Sequence, residues 1–154
     1  MTLRRYYDER LDQLRSEIVR MGNLANEMIE LAVDAAQSGD VARAEDVIAR
    51  DDQVDLLEEE VIRNTVLLVM QESPVASDLR QLAGTLGVIG EIEKVADDAV
   101  KLARRASTIS QDFPGEMRSA LIEMGTNARR SLASAIRLYT SYTPELATEI
   151  IDFD

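Results

Sequence analysis

The sequence has no Cys, no His and no Trp among its 154 residues, and only 3 Pro. Each absence removes a class of chemistry. Without Cys there are no disulfides, thiolate metal sites or cysteine nucleophiles. Without His there are no Ser-His-Asp triads, imidazole–zinc sites or Glu-x-x-His di-iron bundles. Long apolar runs are also missing. Val66-Leu67-Leu68-Val69-Met70 is the longest stretch of large apolar residues, far short of the ~20 that a spanning helix needs. The start, Met1-Thr2-Leu3-Arg4-Arg5, carries positive charge with no apolar signal region behind it. No membrane insertion is expected, and a cytoplasmic location is. Positive charge is scarce, with 17 Lys and Arg against 29 Asp and Glu, a net charge of −12. This argues against non-specific nucleic-acid binding. Any hard-metal site must be built from oxygen donors.

What is present is helix-forming sequence. Long stretches rich in Ala, Leu, Glu and Arg run between few breakers, with little period-2 alternation of β-branched residues. The first helix is expected over about Leu3–Ser38, with apolar residues at Leu11, Leu14, Ile18, Met21, Ala25, Met28, Ala32 and Ala35. That is a sustained 3,4 rhythm. Gly39 suits a left-handed helix end and Asp40 a cap for the next helix. The second is expected over about Val41–Glu72, its seam being Ala44, Val47, Val54, Leu57, Val61, Thr65 and Leu68 with Asp51 interrupting. Ser73-Pro74 breaks it. The third is expected over about Ser77–Ser110, with a seam at Leu79, Leu82, Leu86, Ile89, Glu93, Ala96, Val100 and Ala103. A fourth starts near Glu116 and runs to about Ser141, and Pro144 opens a fifth. The fold class expected is all-α: an elongated antiparallel three-helix bundle with up-down helices.

Shifting the chain by 103 residues lays Arg15–Asp51 on Arg118–Asp154 without a gap. Identities include Arg15/Arg118, Ser16/Ser119, Met21/Met124, Gly22/Gly125, Ala25/Ala128, Ala32/Ala135 and Ser38/Ser141. Shared heptad phase aligns apolar positions, but not Met-Gly and Arg-Ser pairs, so duplication is the reading adopted. Residues 1–112 then form one three-helix repeat and 113–154 a truncated second one. The fourth helix would carry an apolar face of Met117, Leu121, Met124, Ala128, Leu132, Ala135 and Leu138 without partners from its own repeat. That face must pack on the first bundle or on a second chain, and homodimerisation is expected from it.

Most acids have a plain explanation. Glu58, Glu59 and Glu60 read as a solvated helix face, and Glu91 and Asp98 as surface salt bridging. Glu93 and Asp97 differ. On a helical wheel Glu93 falls near the middle of the apolar arc and Asp97 at its edge, four residues apart and facing each other. Two like charges on an apolar arc are costly. A multivalent cation would relieve them, and oxygen donors suit Mg, Mn, Ca or Fe. Arg104 or Lys101 could relieve Asp97 but hardly Glu93; equally, one carboxyl is protonated or an Arg of the neighbouring helix pairs with it.

Two segments carry a resemblance: Gln71-Glu72-Ser73-Pro74-Val75-Ala76-Ser77-Asp78-Leu79-Arg80, and Gly90-Glu91-Ile92-Glu93-Lys94-Val95-Ala96-Asp97-Asp98. Together they resemble the PhoU family of phosphate-signalling regulators. Pro-Val-Ala-Ser-Asp-Leu-Arg is similar to the turn before that family's third helix, and Glu-Lys-Val-Ala-Asp to its E/D-x-x-x-D metal motif. Val47–Asp52 also resembles the family's early second helix. The resemblance implies a tandem three-helix bundle, usually dimeric and cytoplasmic. It implies a non-catalytic regulator that links the ATP-binding subunit of a phosphate ABC transporter to a sensor histidine kinase. It also implies Glu93 and Asp97 as metal ligands for Fe, Mn, Mg or Zn. Asp98 and Gly90 depart from the family's frequent His and Asn, and the second repeat's motif would lie past residue 154. A carboxylate metal-storage protein and a purely structural helical dimeriser are the alternatives.

Overall fold

The computed structural model describes residues 3–72 and 74–153. Six helices make it up: α1 (Leu3–Ser38), α2 (Val41–Glu72), α3 (Ala76–Ala103), α4 (Ala106–Asp112), α5 (Gly115–Thr140) and α6 (Pro144–Phe153). Among the described residues there is no strand. Ser73 of the expected break and Asp154 at the end of the repeat lie outside the described residues.

Helix α1 is the axis of the molecule and packs against α2, α3, α4 and α5. All eight residues of its expected seam are buried, Ile18, Met21, Ala25, Met28, Ala32 and Ala35 completely. The seven seam residues of α2 are buried with them. Thr65 is tolerated in the core because its hydroxyl donates to the Val61 carbonyl at 2.7 Å. Between α1 and α2 the chain turns through Gly39, at φ 72, the left-handed conformation that glycine adopts without strain. The Gly39 amide donates to the Ala35 carbonyl at 2.8 Å, and Asp40 Oδ1 caps α2 by accepting from the Arg43 amide at 3.1 Å.

The third helix departs from expectation. It ends at Ala103 and resumes as α4 after Arg104 and Arg105. The Arg105 amide reaches back only three residues, to the Leu102 carbonyl at 3.0 Å. The cause lies in the core spacing. Val100, Ala103, Ala106 and Ile109 are all buried at three-residue intervals, which an α-helix of 3.6 residues per turn cannot keep on one face. A local turn of 3.0 residues resets the phase.

Helices α1 and α5 cross with a symmetry that repeats the 103-residue shift. The Asn26 side-chain amide donates to the Arg129 carbonyl at 2.8 Å, and Arg129 Nε donates to Asn26 Oδ1 at 2.8 Å. These two residues are each other's counterparts. Around them a Cβ on Gly22 would overlap Ile136, and one on Gly125 would come within 2.5 Å of Val33 Cγ2. Gly22 corresponds to Gly125 and Val33 to Ile136. The two glycines thus permit the same close approach twice, related by a local pseudo-two-fold. Burial of Ile29, Val33 and Ala36 on α1 gives that helix a second apolar stripe beside its seam.

Candidate functional site

Helices α2 and α3 lie antiparallel on α1, and their facing flanks form an outer groove. Its floor is the buried seam, Val54 and Val61 on α2 and Ile89, Ala96 and Val100 on α3. One helical step round from that seam on α2 stand Asp51, Asp55 and Glu58; on α3 stand Glu93 and Asp97. Partial burial, then Asp55 and Asp97, push the Asp51 carboxyl above its ordinary value, against the pull of Arg104. Partial burial, then Glu93 across the groove, push Glu58 up likewise. Asp51 is therefore within electrostatic reach of Asp97, and Glu58 of Glu93, between the two helices.

Glu93 is on the flank of α3 and not at the middle of its apolar arc. The buried residues of α3 are Leu82, Thr85, Ile89, Ile92, Ala96, Ala99, Val100 and Ala103, with Asp78 at the start. Leu79 and Leu86, expected in the seam, are 48% and 39% exposed. The arc is rotated because α3 meets more than α2. Ile92 lines the contact with Ile136 and Gly22, and Thr85 shares a hydrogen bond with the Tyr139 hydroxyl of α5 at 3.0 Å. Those contacts turn Thr85, Ile92 and Ala99 inward and leave Leu79, Leu86 and Glu93 at the edge.

Asp97 is answered by Lys101, whose Nζ lies 2.7 Å from Asp97 Oδ2 and 3.0 Å from Asp98 Oδ1. These two hydrogen bonds raise the Lys101 pKa. Glu91 pairs with Lys94 at 2.7 Å on the wet face, as expected. No ion pair among the described residues engages Asp55, Glu58 or Glu93. The donors are all carboxylate oxygens, a set whose chemistry fits a hard cation. No three of them among the described residues converge closely enough to hold one. Glu93 and Asp97 are brought to the same groove, four residues apart, as the sequence implies. Asp51, Asp55 and Glu58 are additional members. Their signal was present in the sequence, because Asp51 interrupts the α2 seam and Asp51/Asp55 repeats the four-residue spacing of Glu93/Asp97.

Among the described residues no helix is long and apolar enough to cross a membrane. A family model described as the PhoU domain matches residues 18–106, a segment that contains all five groove acids. The chain is 26% identical over 148 residues to the phosphate-specific transport system accessory protein PhoU homolog of Xylella fastidiosa strain 9a5c, covering 96% of this chain and 62% of that protein. It is 29% identical over 149 residues to the protein of the same name from Rhizobium meliloti, covering 96% and 63%. It thus spans about three fifths of the length of these curated relatives. The name they share is that of an accessory protein, not an enzyme. The crystal structure of PhoU from Pseudomonas aeruginosa superposes with a TM-score of 0.88 at 24% identity, covering 96% of this chain and 71% of that one. That likeness establishes the helical fold.

Proposed function

The chain belongs to the PhoU family, and on that premise we propose that it is a non-catalytic regulator of phosphate uptake. The observation that carries the reading is the family match over residues 18–106, which takes in the whole α2–α3 groove. A chain without His or Cys and with its carboxylates gathered in an open groove suits docking better than turnover. The partners in this proposal are the ATP-binding subunit of a phosphate transporter and a sensor histidine kinase, met in the cytoplasm. Affinity capture of both by the tagged chain from phosphate-replete cells is the expected result. Capture of neither would overturn the adaptor role.

Metal binding is the second part of the proposal. It is supported by the like charge that Asp97 presents to Asp51 and Glu93 to Glu58, which adds to partial burial in raising Asp51 and Glu58, a repulsion that a cation would relieve. Glu93 and Asp97 would hold a divalent or trivalent ion from one wall, with Asp51 and Asp55 facing it. The ion would neutralise the groove, and the chain's own residues would position it. Added Mn²⁺ or Fe²⁺ is expected to raise the melting temperature of the wild type and not of Glu93→Ala/Asp97→Ala. Equal shifts in both, or none, would remove the metal from the account. Self-association is proposed through α5, where Met117 and Met124 are 54% and 67% exposed. A monomer in light scattering at high concentration would refute it.

A further inference from the structure

The turn that ends α3 leaves a hollow on the surface. Its cavity of about 730 Å³ has an apolar floor of Leu102, Ile109 and Phe113, with Lys101, Arg104 and Arg105 around it. Among the described residues no carboxylate lines it. That is a local excess of positive charge on a chain of charge −12. Lys101 is already held by Asp97 and Asp98. Arg104 lies within electrostatic reach of Asp51 but forms no ion pair with it, and Arg105 has no acidic partner among the described residues. Arg105 is exposed, and so is Phe113, by 37%. Cations set over an apolar floor suit a segment that offers carboxylates beside an apolar side chain.

The chain itself contains such a segment. Helix α6 has no Lys or Arg. Its Glu145, Glu149 and Asp152 are exposed and share one face at i, i+4 and i+7. None of the three has an ion-pair partner among the described residues. Beside them Ile151 is 75% exposed. The cavity and α6 lie at opposite ends of α5. That helix has 26 residues, about 39 Å at about 1.5 Å per residue. Helix α6 has only 10 residues and packs on α5, so it cannot reach the cavity of its own molecule.

We infer that α6 of a second copy docks in the cavity beside the α3–α4 turn, its acidic face answering Arg105 and Arg104 and its Ile151 set against the apolar floor. Because cavity and α6 lie at opposite ends of α5, two antiparallel copies make the same contact twice and the pair closes on itself. The inference rests on the self-association proposed through α5, whose exposed Met117 and Met124 lie between the two ends, and it names what meets at each end. A membrane is the poorer occupant. A hollow takes a protruding side chain, which a flat bilayer does not offer, and a chain of charge −12 is repelled by anionic lipid.

Analytical ultracentrifugation of the whole chain tests it. The wild type is expected to dimerise, and added salt to weaken the dimer. Arg105→Glu and Glu149→Arg, both at exposed positions, are each expected to raise the dimer dissociation constant about tenfold. The chain carrying both substitutions is expected to return to within about threefold of the wild type, because opposite charges meet again. Ile151→Ser is expected to weaken the dimer about fivefold. A wild type that stays monomeric would overturn the inference. So would an Arg105→Glu chain that dimerises like the wild type, or a double variant no better than the singles. Met124→Asp separates this contact from the α5 face. A dimer lost in Met124→Asp and unchanged in Arg105→Glu removes the α6 contact and leaves the α5 face. A dimer weakened in Arg105→Glu and unchanged in Met124→Asp removes the α5 face and leaves the α6 contact. Binding to phosphatidylglycerol vesicles that Arg105→Glu abolishes, with dimerisation unchanged, would make the occupant a membrane.

Discussion

Helices α1 and α5 carry related sequence in different surroundings. Met21 is fully buried and its counterpart Met124 is 67% exposed. Ile18 is fully buried and Leu121 half-buried; Ala25 is fully buried and Ala128 exposed. The apolar rhythm is the same, so the sequence of a helix does not decide its burial. Partners do. Helix α1 has α2, α3 and α4 on its seam and α5 on its second stripe, whereas α5 packs mainly on α1 and the short α6 and touches α3 and α4 at few points, such as Thr85 with Tyr139 and Arg118 with the Ser110 carbonyl. An amphipathic helix draws most of its stability from such packing and little from propensity.

The largest expected effect separates the two methionines. Met21→Ala removes a core side chain and is expected to cost about 2–5 kcal/mol in denaturant unfolding. Met124→Ala is expected to cost about 0.5 kcal/mol or less. Similar costs would mean that α5 is as covered as α1, and would break the comparison. Next are the glycines at the α1–α5 crossing, where the two helices are equivalent. Gly22→Leu and Gly125→Leu place bulk against Ile136 and Val33 and are each expected to cost about 1–3 kcal/mol. Strongly unequal costs would deny the local pseudo-two-fold.

The smallest effect belongs to the groove acids. Asp51 and Glu58 titrate above their ordinary values in the folded chain. Unfolding returns them to those values, so between the ordinary and raised pKa the folded state holds more protons. Stability from this source is therefore present at low pH and falls as pH rises through that window. Glu58→Gln is expected to stabilise the chain near neutral pH by about 0.2–0.5 kcal/mol, the scale of a like-charge pair on a helix surface. It should also flatten the fall in stability just above the ordinary carboxylate range, read from thermal melts at stepped pH. A destabilised Glu58→Gln would mean that Glu58 has a cationic partner.

The sequence made the seams of α1 and α2 legible because each of those helices buries one continuous stripe and a 3,4 rhythm reports that stripe directly. Gly39 and Asp40 were legible because left-handed turns and helix caps demand particular residue types. Helix α3 was misread where it serves several neighbours. Leu79 and Leu86 continue the rhythm but lie outside the contact with α1, and periodicity cannot tell an inward stripe from one beside it. The turn at Arg104–Arg105 was missed because no Pro or Gly marks it, and only the three-residue spacing of Val100, Ala103, Ala106 and Ile109 gives it away. Glu93 and Asp97 stood out on their own helix. Asp51, Asp55 and Glu58 join them only through the pairing of α2 with α3, which is a tertiary fact.

As a proposed regulator of phosphate uptake, the chain is expected to restrain that uptake when phosphate is plentiful. Uptake of ³²P-phosphate by phosphate-replete cells lacking the chain, with and without its re-expression, tests this most directly. High uptake is expected in its absence, with a return to low uptake when the wild type is restored. Identical uptake with and without the chain would contradict it.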